Sequence, residues 1–229
     1  MGVKLRIVLW LCIASWWSEA NAQQTVTFPL VSGSGDLQGD LYGEGTRGVV
    51  LAHGGRFGKE SWKKQADALA KSGFVVLAIR FRGDGPNPDG GPGSFGSTAD
   101  NADDVLAAVA YLHGRGVKSV AAVGASFGGD AVGEADAKSA AGNIARIVLL
   151  GSSGGDHPEK LKGQKLFIVA REDRSGSELR LPEISRHYAR APEPKRLVIL
   201  EGSAHAQFLF DTSQGPRLLE EIRAFLARE

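Results

Sequence analysis

Three side chains far apart in this chain have the chemistry to pass a proton between them: Ser126, Asp173 and His205. Ser126 stands in Gly124-Ala125-Ser126-Phe127-Gly128, after the apolar run Val120-Ala121-Ala122-Val123 and before small residues at helical spacing. A serine between a strand and a helix must turn so sharply that its backbone is strained and its hydroxyl is lifted clear of the sheet edge. The turn brings the residues two before and two after the serine together, which Gly124 and Gly128 permit, and Gly129 eases packing of the helix on the strand. It also aims the helix N-terminus at the serine, so the N–H of Phe127 can face a developing negative charge. Alone the pattern is a weak signal, since 31 of the 229 residues are glycine and a glycine-rich turn with a surface serine reads the same.

A serine hydroxyl is a poor nucleophile until a base takes its proton, and the usual base is a histidine oriented by a carboxylate. Of the five histidines, His157 and His187 fall in polar connecting segments and His113 near the end of a helix. His205 follows the last apolar run, in Leu200-Glu201-Gly202-Ser203-Ala204-His205, and is the candidate base. The carboxylate belongs after a strand lying between serine and histidine. Phe167-Ile168-Val169-Ala170-Arg171-Glu172-Asp173 supplies Asp173, with Glu172 as the alternative. His53-Gly54-Gly55 ends the first long apolar run and offers backbone without side-chain obstruction. The N–H of Gly55 is therefore the second candidate donor to an oxyanion beside Phe127, Arg56 is the alternative, and His53 is expected to brace the loop. These groups suit acyl transfer to water, and no metal-ligand cluster or cofactor motif appears or is required.

The elements that must position them alternate along the chain. Residues 25–43 alternate loosely around Ser32-Gly33-Ser34-Gly35, as two short antiparallel strands do. Gly48–Ala52, Phe74–Ile79, the serine strand, Ile144–Leu150, Lys165–Ala170 and Arg196–Leu200 are apolar runs suited to strands buried on both faces. Trp62, Ala66, Leu69 and Ala70 fall on one helical face, as do Val105, Ala108, Val109 and Leu112, and Leu218, Ile222, Phe225 and Leu226 near the end. Asp100, Asp103 and Asp104 are expected in or near the first turn of the second of these helices, offsetting the positive end of its dipole. Strand–helix alternation implies an α/β sandwich with a mostly parallel sheet flanked by helices on both faces. Functional groups then collect at the C-terminal strand ends.

A chain of 229 residues with 42% hydrophobic residues suits one compact domain. A net charge of +1 gives no reason to expect nucleic acid or an anionic membrane as partner. Residues 1–22 have the layout of a secretory signal peptide: Lys4 and Arg6, an apolar core from Ile7 to Trp17, and Ala20-Asn21-Ala22 before Gln23. That core is too short to span a bilayer as a helix. Cleavage removes Cys12, so residues 23–229 form a domain without disulfides or a thiol nucleophile, in a secreted or periplasmic protein.

With its His-Gly-Gly loop, Gly-Ala-Ser-Phe-Gly turn, and Ser126, Asp173 and His205 in that order after successive strands, the chain resembles the α/β-hydrolase superfamily over nearly all its mature length. Arg82-Gly83-Asp84-Gly85 is similar to the Arg-Gly-x-Gly segment many members carry, although Arg80 stands where they often have aspartate. The segment Gly151–Gln164 has fourteen residues, too few for a helical cap domain, so the resemblance is to small, lidless serine hydrolases, dienelactone-hydrolase-like proteins and compact esterases. Dienelactone hydrolase itself has a cysteine where this chain has Ser126. The resemblance implies a small or water-soluble ester as substrate, with a small peptidase or amidase of the same fold, or a binding protein without turnover, as alternatives. Arg56, Arg80, Arg82, Arg171 and Arg174 lie near the catalytic edge, and salt-bridging or solvated roles are expected for most of them. The Gly83–Thr98 loop could border the acyl pocket or simply connect two elements.

Overall fold

The structure, a computed structural model, describes residues 23–82 and 98–228. The expected signal peptide, the Gly83-Asp84-Gly85 part of the resemblance and the loop up to residue 97 lie outside the described residues. Within them the chain runs β1 (Gln24–Pro29), β2 (Asp36–Tyr42), β3 (Arg47–Ala52), α1 (Lys63–Lys71), β4 (Val75–Ile79), α2 (Thr98–Gly114), β5 (Ser119–Ala125) and α3 (Phe127–Lys138). It continues through β6 (Arg146–Leu150), β7 (Gln164–Ala170), a small hairpin of β8 (Arg174–Ser175) and β9 (Glu178–Leu179), α4 (Arg180–Arg190), β10 (Lys195–Leu200) and α5 (Gly215–Ala227).

Eight strands form one sheet in the order β1-β2-β4-β3-β5-β6-β7-β10. Only the β1–β2 and β2–β4 pairings are antiparallel. The other strands are parallel. Their side chains alternate between two cores, which is why the runs read as continuously apolar. Val50, Leu77, Ala122 and Phe167 pack toward Val105, Val109 and Leu112 of α2, Val132 of α3 and Ile184 of α4. Val49, Leu51, Val123, Val148 and Ile168 face Trp62, Leu69 of α1, and Leu218, Ile222 and Phe225 of α5. Among the described residues no helix is long and apolar enough to cross a membrane.

Three expected boundaries move. Phe74 and Ile144 precede β4 and β6, yet only 2% and 1% of their surfaces are exposed, so burial outside the strand mimics a strand residue. The helix expected around Trp62 divides into a 3-10 turn, Lys59–Trp62, and α1. Asp104 is not merely a dipole partner. It lies beyond the first turn of α2, fully buried, and accepts hydrogen bonds from the Arg82 backbone N–H at 2.8 Å and the Arg82 Nε at 2.6 Å. Gly151–Gln164 carries a 3-10 turn at Pro158–Lys160 and no cap domain.

The register brings the site together. Chain order steps from β3 to β4 on one side and to β5 on the other, so the crevice at this switch point opens between β3 and β5. Ala52 pairs with Gly124, setting the His53 loop beside Ser126. Ala170 pairs with Leu200, setting the Asp173 and His205 loops side by side.

How closely α3 approaches the sheet edge is testable at Gly133. A Cβ there would meet the Gly154 backbone, including its carbonyl oxygen. An exposed helical Gly→Ala gains about 0.5–1 kcal/mol. Here overpacking against backbone reverses the sign, and Gly133→Ala is expected to cost roughly 1–3 kcal/mol, read as a lower urea midpoint. A raised midpoint refutes this packing.

Candidate active site

Ser126 has φ 51° and ψ −122°, a conformation few non-glycine residues adopt. It persists because neighbours over-determine it. The Ser126 N–H donates to the Leu150 carbonyl at 2.8 Å, and the Ser126 carbonyl accepts from Gly129 N–H at 2.8 Å. Clearance is equally strict. A Cβ on Gly124 would lie 2.6 Å from the carbonyl carbon of Gly128, and one on Gly128 would lie 2.5 Å from the carbonyl oxygens of both Ala52 and His53. The turn leaves Ser126 half-buried at the start of α3, with its Oγ 2.7 Å from His205 Nε2.

His205 reaches the serine by crossing the end of β6. Gly151 sits there at φ +61°, and a Cβ on it would come within 3.0 Å of the Ala206 N. Ala206 is itself at φ 47°, which reverses the chain directly after the histidine. On the other side of the ring, Nδ1 lies 2.8 and 3.0 Å from the two carboxylate oxygens of Asp173, which is fully buried. The acceptor-only carboxylate requires the proton on Nδ1, leaving Nε2 to accept the Ser126 O–H. Glu172 is exposed and makes no hydrogen bond to His205. The other histidines stand apart: His187 lies on α4, not in a connecting segment, His157 in an exposed turn, and His113 bonds the carbonyls of Val117 and Asn143.

The His53 loop abuts the serine, since a Cβ on Gly54 would lie 3.6 Å from Ser126 Cβ. The His53 ring is buried edge-on to Phe81 at 5.1 Å, and its Nδ1 lies 3.0 Å from the Gly54 carbonyl. Gly55 follows, half-buried, with Arg56 exposed beyond it. Phe127 is the first residue of α3, so its backbone N–H belongs to the turn that opens toward Ser126. Phe57 and Phe208, with ring centroids 4.9 Å apart, form an aromatic pair three residues beyond Gly54 and His205 respectively.

The chain matches the model of an α/β hydrolase family over residues 49–159. It is 34% identical over 107 residues to a non-heme haloperoxidase of Rhodococcus erythropolis, a match covering 46% of this chain and 37% of that protein. It is 39% identical over 70 residues to a putative chloroplastic methylesterase of Arabidopsis thaliana, covering 30% of this chain and 16% of that one. The chain thus spans well under half the length of these relatives. The crystal structure of a dienelactone hydrolase from Anabaena variabilis superposes with a TM-score of 0.70 at 20% identity, covering 90% of this chain and 96% of that one. The chain has the α/β-hydrolase fold.

Two residues of this site carry no mark in the sequence. Arg180, at the start of α4, holds its Nε 3.7 Å from Asp173 Oδ1 and donates its backbone N–H to the Asp173 carbonyl at 2.9 Å. Gln207 is buried and joins the base loop to the His53 loop. The arginines near the edge have local partners: Arg82 pairs with Asp104, Arg171 with exposed Glu201, and Arg174 with the carbonyl of Ser177.

One turn after the serine, Asp130 Oδ1 accepts from Ser152 Oγ at 2.6 Å and from Gly155 N–H at 3.3 Å. It lines a cleft of about 360 Å³ together with Glu134, Asp156, His157 and Glu183. Burial, with the nearby Glu183 charge, pushes its carboxyl above the usual carboxylate range against the pull of its hydrogen bonds. Burial raises Asp104 and Asp136 as well. A carboxyl whose pKa is raised on folding stabilises most below its unfolded value, about 4, and loses that contribution as pH rises through the folded value. The contribution of these carboxyls to stability is therefore expected to increase as pH falls from neutrality toward about 4. Asp130→Asn keeps the accepting oxygen but removes one titration, so its urea midpoint should gain less over that interval. An equal gain in both proteins refutes the assignment.

Proposed function

We propose that this chain is a serine hydrolase of small or water-soluble carboxylic esters, acting through an acyl-enzyme on Ser126. The observation that carries the reading is the continuous chain from Ser126 Oγ through the imidazole of His205 to the buried carboxylate of Asp173. Ser126 Oγ attacks the ester carbonyl carbon as its proton passes to His205 Nε2, and the C=O electron pair moves onto oxygen. Asp173 steadies the imidazolium. The oxyanion takes hydrogen bonds from the N–H groups of Gly55 and Phe127, each donor contributing roughly 3 kcal/mol. Collapse expels the alcohol, which takes the proton from His205, and water activated by the same base releases the acid.

The ester reading draws support from the names of two relatives, a methylesterase and a dienelactone hydrolase. A site with no cap domain among the described residues suits substrates that reach it from water. The pattern of residues 1–22 supports export, and the N-terminus of protein recovered from the producing cell should then be Gln23.

Ser126→Ala is expected to lower p-nitrophenyl acetate turnover by at least about a thousandfold while leaving the unfolding midpoint near that of the wild type. A fluorophosphonate should label the wild type at Ser126 and leave the variant unmodified. Among p-nitrophenyl esters, short acyl chains should give the highest kcat/KM, and an aminoacyl anilide should turn over far more slowly. Faster anilide cleavage would reassign the protein as an amidase. An unlabelled wild type would point to a binding protein.

A further inference from the structure

An oxyanion donor on a loop is useful only if its peptide plane is fixed. Two consecutive peptide planes, its own and the one before it, set where the Gly55 N–H points. The plane joining Gly54 and Gly55 is held through its carbonyl, which accepts from Phe57 N–H at 3.0 Å and lies 3.0 Å from His53 Nδ1. The plane joining His53 and Gly54 is held on its carbonyl side by the approach of Gly128, where no Cβ fits. On its N–H side it is held by one side chain: Gly54 N–H donates to Gln207 Oε1 at 2.7 Å.

Gln207 is bound at both ends. Its Nε2 donates to Ser61 Oγ at 2.9 Å, and Ser61 Oγ donates onward to the Gly58 carbonyl at 2.6 Å. Each donor in this chain meets one acceptor, so the amide has one consistent orientation. It is 5% exposed, in the 3-10 turn Ala206–Asp211 that begins directly after His205. The turn that carries the proposed base thus also grips the loop that carries the proposed oxyanion donor, across 153 residues of chain.

We infer that Gln207 is a positioning residue that fixes the Gly55 N–H relative to His205, coupling oxyanion binding to proton transfer. The inference rests on the serine-hydrolase reading above. Gln207 touches neither reacting atom. Because the oxyanion exists only after attack begins, loss of the clamp should lower kcat and leave KM nearly unchanged.

The test compares wild type, Gln207→Leu, Gln207→Glu and Ser61→Ala with p-nitrophenyl acetate, each checked for folding by its urea midpoint. Removing a whole oxyanion donor costs about a hundred- to a thousandfold, so misaiming one should lower kcat in Gln207→Leu by roughly ten- to a hundredfold. Gln207→Glu keeps an acceptor for Gly54 N–H and should recover much of that loss. Ser61→Ala frees the far end of the amide and should lower kcat a few-fold. A folded Gln207→Leu with kcat within twofold of wild type, or with a raised KM and unchanged kcat, overturns the inference. If Gln207→Leu does not fold, Ser61→Ala decides: reduced kcat at constant KM supports the clamp, and wild-type kcat overturns it. Wild type that neither hydrolyses the ester nor reacts with a fluorophosphonate overturns the function itself, and is thereby distinguishable from failure of the clamp alone.

Discussion

Everything at the rim of this sheet depends on holding one non-glycine residue in a backbone conformation it disfavours. Ser126, at φ 51° and ψ −122°, stores about 1–3 kcal/mol relative to a relaxed residue. That energy comes from the two cores, because β5 lies in the middle of the sheet, parallel to β3 and β6, and cannot shift register without dislodging both. The same turn sets more than the hydroxyl. It brings Gly128 against the carbonyls of Ala52 and His53 and so fixes where the loop after β3 can lie. It also swings α3 into line, so that the backbone N–H of Phe127 and the hydroxyl of Ser126 move as one unit. A single strained residue thus locates the proposed nucleophile and both proposed oxyanion donors.

The proposed base arrives from the other side of the sheet by a route equally short of room. The loop after β10 must pass over the end of β6 to reach β5, and Gly151 with Ala206, both in left-handed backbone conformations, makes the crossing possible. Asp173 then lies fully buried between two basic side chains, His205 at 2.8 Å and Arg180 at 3.7 Å. A buried carboxylate is costly unless charge-paired and hydrogen-bonded. The permanent guanidinium charge meets part of that cost whether or not the imidazole carries a proton. Asp173 therefore keeps a charged neighbour besides the imidazole.

What the sequence made legible was what local geometry forces. The turn around Ser126 needs glycines at fixed offsets, and strands buried on both faces need unbroken apolar runs, so both can be read from neighbouring residues. His205 and Asp173 were readable because each follows such a run and because their order resembles a known superfamily. Gln207 and Arg180 leave no comparable trace. Gln207 lies in a turn too short to have periodicity, and its partner Gly54 is 153 residues away. Arg180 opens α4, whose buried anchor is Ile184, so the segment reads as polar connection. Asp104 misleads for the opposite reason. Acids early in a helix are explained by its dipole, and only the fold brings Arg82 back to bury this one.

A site with no cap domain among the described residues must obtain its electrostatic strength by another route. Closing lids exclude water and so strengthen the donors around a developing charge. Here Ser126 is half-buried, and the His205 side chain retains about a quarter of its exposure. The dielectric around a reacting carbonyl is accordingly higher than in an enclosed pocket, and each donor stabilises the oxyanion less for a given geometry. What can offset that loss is preorganisation, since a donor already aimed requires no reorganisation as charge develops. The short polar chain through Gly54, Gln207, Ser61 and Gly58 belongs to this logic. It lies beside the site, mostly buried, and spends its hydrogen bonds holding backbone still. In the proposed mechanism, rigidity of these two loops does what closure of a lid does elsewhere.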